Sequence, residues 1–197
     1  MLKHYGPHGN PLGGLNLASV DCGVYDLHAV YLKPFEMVLR HLPVYAVMST
    51  YNSWNRVPNS ASRYLLTDIL RNSWGFKGYV YSDWGAIEML ENFHHTAANK
   101  AEAATQALTA GLDVEASSEC YPELSRLVKE GKLEEAYIDT AVRRVLTAKF
   151  ECGLFEDPYG EKYAASGEMH SPRSVELSRR IAEESIILLK NENNLDR

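Results

Sequence analysis

The run Lys77-Gly78-Tyr79-Val80-Tyr81-Ser82-Asp83-Trp84-Gly85 decides how this chain is read. Tyr79, Val80 and Tyr81 are the aromatic and β-branched types that suit a pleated, half-buried surface. The run stops at a carboxylate, with a tryptophan and a glycine directly behind it. It reads as a buried strand ending at an acid, with an aromatic plate beside it. Asp83 is the candidate for chemistry. Asp is also a favoured helix N-cap, and taken alone the stretch favours the cap.

Outward from this run, helical and strand patterns alternate. Upstream, Tyr45 to Tyr51 is a short apolar run suited to a second buried strand. Between the two, a helix is expected over 62–72, with Tyr64, Leu65, Ile69 and Leu70 inward. Apolar residues at three- and four-residue spacing from Asp26 to His41 predict a helix that Pro34 kinks or splits. Downstream, Ile87 to Phe93 reads as a short helix or turn, and His94-His95 as a solvated loop. Lys100 to Ala110 reads as an Ala-rich helix closed by Gly111. Leu112 to Glu115 is a very short strand candidate. Helices follow around 121–130 and 134–152, the second with Ile138, Val142, Leu146 and Phe150 on one face. A last helix is expected over 174–185, passing into a strand at Ile186 to Leu189. Asp113 is expected to anchor local backbone, because a buried acid needs hydrogen-bond partners.

Alternation of this kind argues for a parallel α/β arrangement. In a β/α barrel, side chains at the C-terminal ends of strands line the active site. Tyr51, Asp83 and Asp113-Val114-Glu115 all stand at such ends. Three strands cannot close a barrel, and an open three-stranded sheet leaves bare edges. The chain therefore reads as incomplete at its N-terminus, where it enters the Gly/Pro-rich loop Gly6 to Gly14 with no complete element before it.

The chain has 197 residues, 45% of them hydrophobic and 23% charged, which excludes a disordered polypeptide. A net charge of -6 argues against a backbone-driven nucleic-acid binder. No run of about 18 apolar residues is present, so no membrane span is expected. Cys22, Cys120 and Cys152 lie far apart and form neither a disulfide framework nor a zinc site, and are expected as free buried thiols. His4 and His8 lack a nearby acid or Cys in sequence, so no metal is assigned. The loop at 6–14 lacks the ending of a phosphate loop, and no cofactor is expected. The compartment stays open, the periplasm or the exterior included.

The motifs together resemble glycoside hydrolase family 3, the β-glucosidases, β-xylosidases and their relatives. Lys3-His4 precedes the glycines Gly13-Gly14. Val47-Met48-Ser49-Thr50-Tyr51-Asn52, Val57-Pro58, Leu65-Leu66-Thr67-Asp68-Ile69-Leu70-Arg71 and Trp74-Gly75-Phe76-Lys77-Gly78 lead in order to Ser82-Asp83-Trp84. Ala110-Gly111-Leu112-Asp113 and Glu184-Ser185-Ile186-Ile187-Leu188-Leu189-Lys190-Asn191 complete the series. Arg56 departs from the glycine that many members carry.

The resemblance implies the last three strands of a TIM-type (β/α)8 barrel over 1–155. It implies a linker over 156–172, and over 173–197 the helix that exits into a second α/β sandwich domain. It implies Asp83 as nucleophile of a retaining exo-β-glycosidase. Lys3, His4 and Tyr51 would hold the sugar, and Trp84 would form an aromatic wall. The substrate would be a terminal β-linked glucose or xylose on an oligosaccharide or glycoside. A retaining enzyme needs two carboxyl groups about 5 Å apart, and the family's usual acid/base Glu lies in or beyond the second domain. The other parts of the same polypeptide would then be required. The alternative is a truncated, inactive chain of the same family. The N-acetylglucosaminidase branch uses an Asp-His pair in the loop after Lys-His; His8 lies there, but the pattern Asp-x-His is absent.

Overall fold

The computed structural model describes residues 1–159 and 170–192. It divides into two compact units, Met1–Cys152 and Gly153–Arg197. Most of the expected linker lies outside the described residues.

The first unit is built on a parallel sheet in the order β1 (Leu2–Tyr5), β2 (Ala46–Ser49), β5 (Tyr79–Tyr81). Leu2 pairs with Val47 and Tyr5 with Ser49, with an irregularity between them. Ala46, Val47 and Met48 pair with Tyr79, Val80 and Tyr81. The strand ending at Asp83 is therefore the third of three. Leu2–Tyr5, before the Gly/Pro loop, forms a strand that the sequence reading did not announce. Four residues carry too little pattern to announce a strand, and pairing with β2 supplies the rest. Leu112 to Glu115 instead contributes one bridge, Val114 to Tyr81. The amides of Asp113 and Val114 both donate to the Val80 carbonyl, which leaves no room for a regular ladder.

The helical segments cover the sheet. α1 (Val24–Asp26) runs into a widened turn at Leu27–Tyr31 and then α2 (Lys33–His41). The break falls at Leu32, whose amide reaches back five residues to Leu27. Pro34 thus sits in the first turn of α2, where its missing N–H costs nothing. The helix Tyr64–Ser73 is likewise wide-turned, and Leu65, Leu66, Ile69 and Leu70 are buried. Tyr64, expected inward, stays exposed and stacks on Trp54. α3 (Met89–Asn92) is a single turn. α4 (Lys100–Ala110) is capped by Asn99, which accepts from the Glu102 amide, and closed by left-handed Gly111. α5 (Leu124–Lys129) and α6 (Glu135–Glu151) follow. On α6 only Ala141 and Ala148 are buried, and Val142 and Leu146 remain exposed. Of the cysteines only Cys120 is buried; Cys22 is half-buried and Cys152 exposed.

The core joins sheet to helices through Tyr5, Val47, Val80, Leu65, Leu66, Leu70, Ile87, Leu90 and Leu112. Tyr5 donates its hydroxyl to the Leu65 carbonyl and packs edge-on against Phe35 and Trp74. Burial holds its phenol well above the ordinary range. Gly78 is required where it stands: a Cβ there would lie 2.3 Å from the Tyr45 carbonyl that anchors β5 to β2.

In the second unit, α7 (Pro172–Ser185) starts on Ser171, which accepts from the Ser174 amide. Ile186 to Leu189 is exposed and makes no strand.

A two-stranded hairpin, β3 (Ser53–Trp54) and β4 (Val57–Pro58), projects after β2. Its turn residues Asn55 and Arg56 both have positive φ, 47° and 72°. Tight hairpins require this backbone, and glycine adopts it without the Cβ clash an arginine incurs. This is the physical content of the Arg56 departure. The Arg56→Gly variant should be more stable by about 0.5–1 kcal/mol, read from the urea midpoint. A less stable variant would show that the contact of Arg56 with Asp21, at 3.5 Å, outweighs the backbone strain.

Candidate active site

The parallel strands bring three distant segments to one end of the sheet. Asp83 follows β5, Tyr51 follows β2, and Lys3-His4 lies within β1. His4 Nε2 lies 3.3 Å from Asp83 Oδ2. The Trp84 amide donates to Asp83 Oδ1 at 2.7 Å. Asp83 caps no helix: its side chain meets the next residue's amide, His4 and the Tyr51 hydroxyl, and α3 begins at Met89. The cap reading is set aside.

Tyr51 donates its hydroxyl to the Trp84 carbonyl at 2.9 Å. Its phenol is held above the ordinary range by burial and then by the Asp83 carboxylate. A phenol that keeps its proton beside a carboxylate can donate to it, or to charge developing near it. The His4 imidazole is pushed below its ordinary value, chiefly by desolvation. Asp83 opposes that shift, and His8 and Lys3 add to it.

Lys3 is exposed and makes no ion pair with Asp83. The basic group within reach of the carboxylate is His4. Trp84 is 69% exposed, so its ring stands free beside Asp83 and can offer an apolar face.

Three residues that the sequence reading did not assign to the site complete the surroundings. His94 lies 3.0 Å, through Nε2, from the Tyr51 carbonyl. Since a carbonyl only accepts, that nitrogen carries the hydrogen. His94-His95 form a loop as expected, with His95 exposed, but His94 is half-buried against Tyr51. Asn52 is fully buried and donates to the carbonyls of Asn16 and Ala18, tying the glycine-rich loop to β2. His8 joins Asn52 and Thr50 through Nδ1, at 2.7 and 2.8 Å.

Other acids near the strand ends are already committed. Glu115 accepts from the amides of Cys120 and Tyr121. Asp113 accepts from the Val80 amide and pairs with Arg71 at 2.5 Å and Arg144 at 2.7 Å. Its expected anchoring part is thus matched by its contacts. A cleft of about 210 Å³ lined by Tyr45, Lys77, Gly78 and Arg144 lies at the opposite strand ends, away from Asp83. Among the described residues no group of three or more His, Cys, Asp or Glu side chains could hold a metal ion.

Residues 1–148 match the family model described as the glycosyl hydrolase family 3 N-terminal domain. The chain is 38% identical to a periplasmic β-glucosidase of Salmonella typhimurium, over 96% of this chain and 25% of that protein. It is 35% identical to a β-xylosidase of Formosa agariphila, over 98% of this chain and 28% of that protein. Among solved structures it resembles a β-glucosidase from Erythrobacter marinus with TM-score 0.83 and 39% identity, over 98% of this chain and 26% of that one. The chain thus spans about a quarter of the length of the relatives it matches.

Proposed function

The chain belongs to glycosyl hydrolase family 3, and from that premise we propose that it carries the nucleophile half of a retaining exo-β-glycosidase. Asp83 is the nucleophile. His4, Lys3 and Tyr51 hold the sugar, and Trp84 walls the site. The observation that carries this reading is the convergence of His4 and Tyr51 on Asp83 from three separate strands.

The chemistry follows from the contacts. Ionised Asp83 attacks the anomeric carbon, forming a glycosyl ester as the bond to the leaving oxygen breaks. That oxygen takes a proton from a second carboxylic acid. Water then attacks the anomeric carbon of the ester and gives its proton to the same second carboxylate, as the bond to the Asp83 oxygen breaks and Asp83 leaves ionised. Tyr51 has one hydroxyl hydrogen, and in this role it turns from the Trp84 carbonyl toward the charge exchanged at Asp83. His4, whose imidazole partial burial pushes down against the pull of Asp83, can donate a hydrogen bond to that carboxylate.

Asp113 and Glu115 are spent on the fold, which supports an acid/base supplied from elsewhere in a longer polypeptide. On this reading 1–155 is a part of a (β/α)8 barrel, 156–172 a linker, and 173–197 the passage into a second α/β domain. The family match over 1–148 and the compact unit Met1–Cys152 support the first boundary. Relatives named for both glucose and xylose leave both as substrates, as the terminal β-linked residue of an oligosaccharide or glycoside.

The share of its relatives that the chain spans favours a chain that hydrolyses nothing alone. We expect no turnover of aryl β-glucosides or β-xylosides by residues 1–197, and turnover by the full-length polypeptide that carries them. Turnover by residues 1–197 would place the acid/base within them. No turnover of either sugar by the full-length polypeptide would remove the glycosidase reading.

A further inference from the structure

One polar ring packed against His4 has no part in the chemistry above. The His8 and His4 ring centroids are 4.9 Å apart, and His4 reaches Asp83. The bonds around His8 fix which of its nitrogens is available. Asn52 Nδ2 must donate, because it faces the two carbonyls of Asn16 and Ala18, each at 2.8 Å. Its Oδ1 therefore points the other way, to Thr50 Oγ1 at 2.9 Å and His8 Nδ1 at 2.7 Å. An amide oxygen only accepts, so His8 Nδ1 carries the hydrogen. In neutral His8, Nε2 then keeps its lone pair, and no group among the described residues bonds it.

We propose that His8 is a specificity-determining residue whose Nε2 accepts a hydrogen bond from a hydroxyl of the bound sugar, while Nδ1 is committed to the fold. The inference rests on the glycosidase reading and adds to it a hydroxyl-sensing acceptor beside His4. His8 is half-buried, packed against a residue that touches the nucleophile, and locked by a fully buried amide. A ring so fixed accepts from one direction only. A site that hydrogen-bonds a particular hydroxyl discriminates strongly against the analogue lacking it.

Asparagine and glutamine separate the two nitrogens. In His8→Asn the side-chain amide N–H stands where Nδ1–H stood and nothing replaces Nε2. In His8→Gln the longer side chain reaches the Nε2 position and abandons Asn52. Both are made in the full-length polypeptide and assayed with an aryl β-glycoside and its monodeoxy analogues. His8→Asn should melt within about 1 °C of the parent, with KM raised about tenfold and kcat changed less than about twofold. The parent should lose kcat/KM sharply with one monodeoxy analogue, and His8→Asn should no longer distinguish that analogue. His8→Gln should melt lower.

A His8→Asn enzyme with the parent's KM and the parent's discrimination would overturn the proposal and leave the glycosidase reading standing. Absence of glycoside turnover in the parent would remove both. Should either variant fail to fold, the ¹⁵N resonances of His8 in the parent decide. A protonated Nδ1, and an unprotonated Nε2 that shifts on adding the sugar product, support the proposal. A proton on Nε2, or no shift, overturns it.

Discussion

Asp83→Asn should lower turnover of an aryl β-glycoside by the full-length polypeptide by on the order of 10⁴-fold or more, with protein stability nearly unchanged. The amide is the same size as the carboxylate: its one oxygen can keep the Trp84 amide bond that Asp83 accepts through Oδ1 at 2.7 Å, and its NH2, standing where Oδ2 lies 3.3 Å from His4, can donate to the other tautomer of that ring. The neighbouring bond of Tyr51 to the Trp84 carbonyl does not involve the side chain at 83. What is lost is the anion that attacks carbon. A factor of that size corresponds to about 5 kcal/mol of activation free energy, too large for a residue that only orients the sugar. A loss in kcat of less than about tenfold would assign Asp83 to binding and move the nucleophile elsewhere.

The largest stability effect belongs to Asp113. Its side chain is 1% exposed and serves three partners: Arg71, Arg144 and the Val80 amide. The Arg71 side chain is itself only 8% exposed, and it also donates to the carbonyls of Gly78 and Gly111. Burial pushes the Arg71 pKa down, and Asp113 works against that push. Asp113→Ala would strand a buried guanidinium and orphan the amide at the centre of β5. Breaking a buried pair from one side costs about 3–5 kcal/mol, a large share of the stability of an ordinary domain. Urea unfolding of the protein measures it. Asp113→Asn, which keeps an acceptor for Val80, should cost less than Asp113→Ala. Equal losses would show that the charge, not the amide bond, carries the effect. A loss under about 1 kcal/mol for Asp113→Ala would mean that the triad rearranges and anchors nothing.

What was legible in the sequence was what neighbours in the chain decide. The strand at Tyr79–Tyr81, the helix Lys100–Ala110 and its left-handed stop at Gly111 are all local, and the structure has them. So is the helical run broken near Pro34, although the break falls at Leu32 and the proline opens the second helix. What pairing decides was not legible. Leu2–Tyr5 becomes a strand because β2 lies beside it, and Leu112–Glu115 falls short of one because two amides share the Val80 carbonyl. The candidate site divides the same way. Asp83, Tyr51 and His4 could be named from their places at strand ends and in motifs. Their surroundings could not, because His94 reaches Tyr51 across 43 residues and His8 reaches Asn52 across 44. No spacing in the chain records a partner at that distance.

The assignment of Asp83 is tested most directly by trapping the intermediate. A 2-fluoro glycoside with a good leaving group forms the glycosyl ester readily and loses it slowly. After incubation with the full-length polypeptide and proteolysis, mass spectrometry locates the added sugar. One label per chain, on Asp83 in the peptide containing Ser82-Asp83-Trp84, is the predicted result. A label on any other residue, or turnover of the reagent with no covalent adduct at any time, would contradict it.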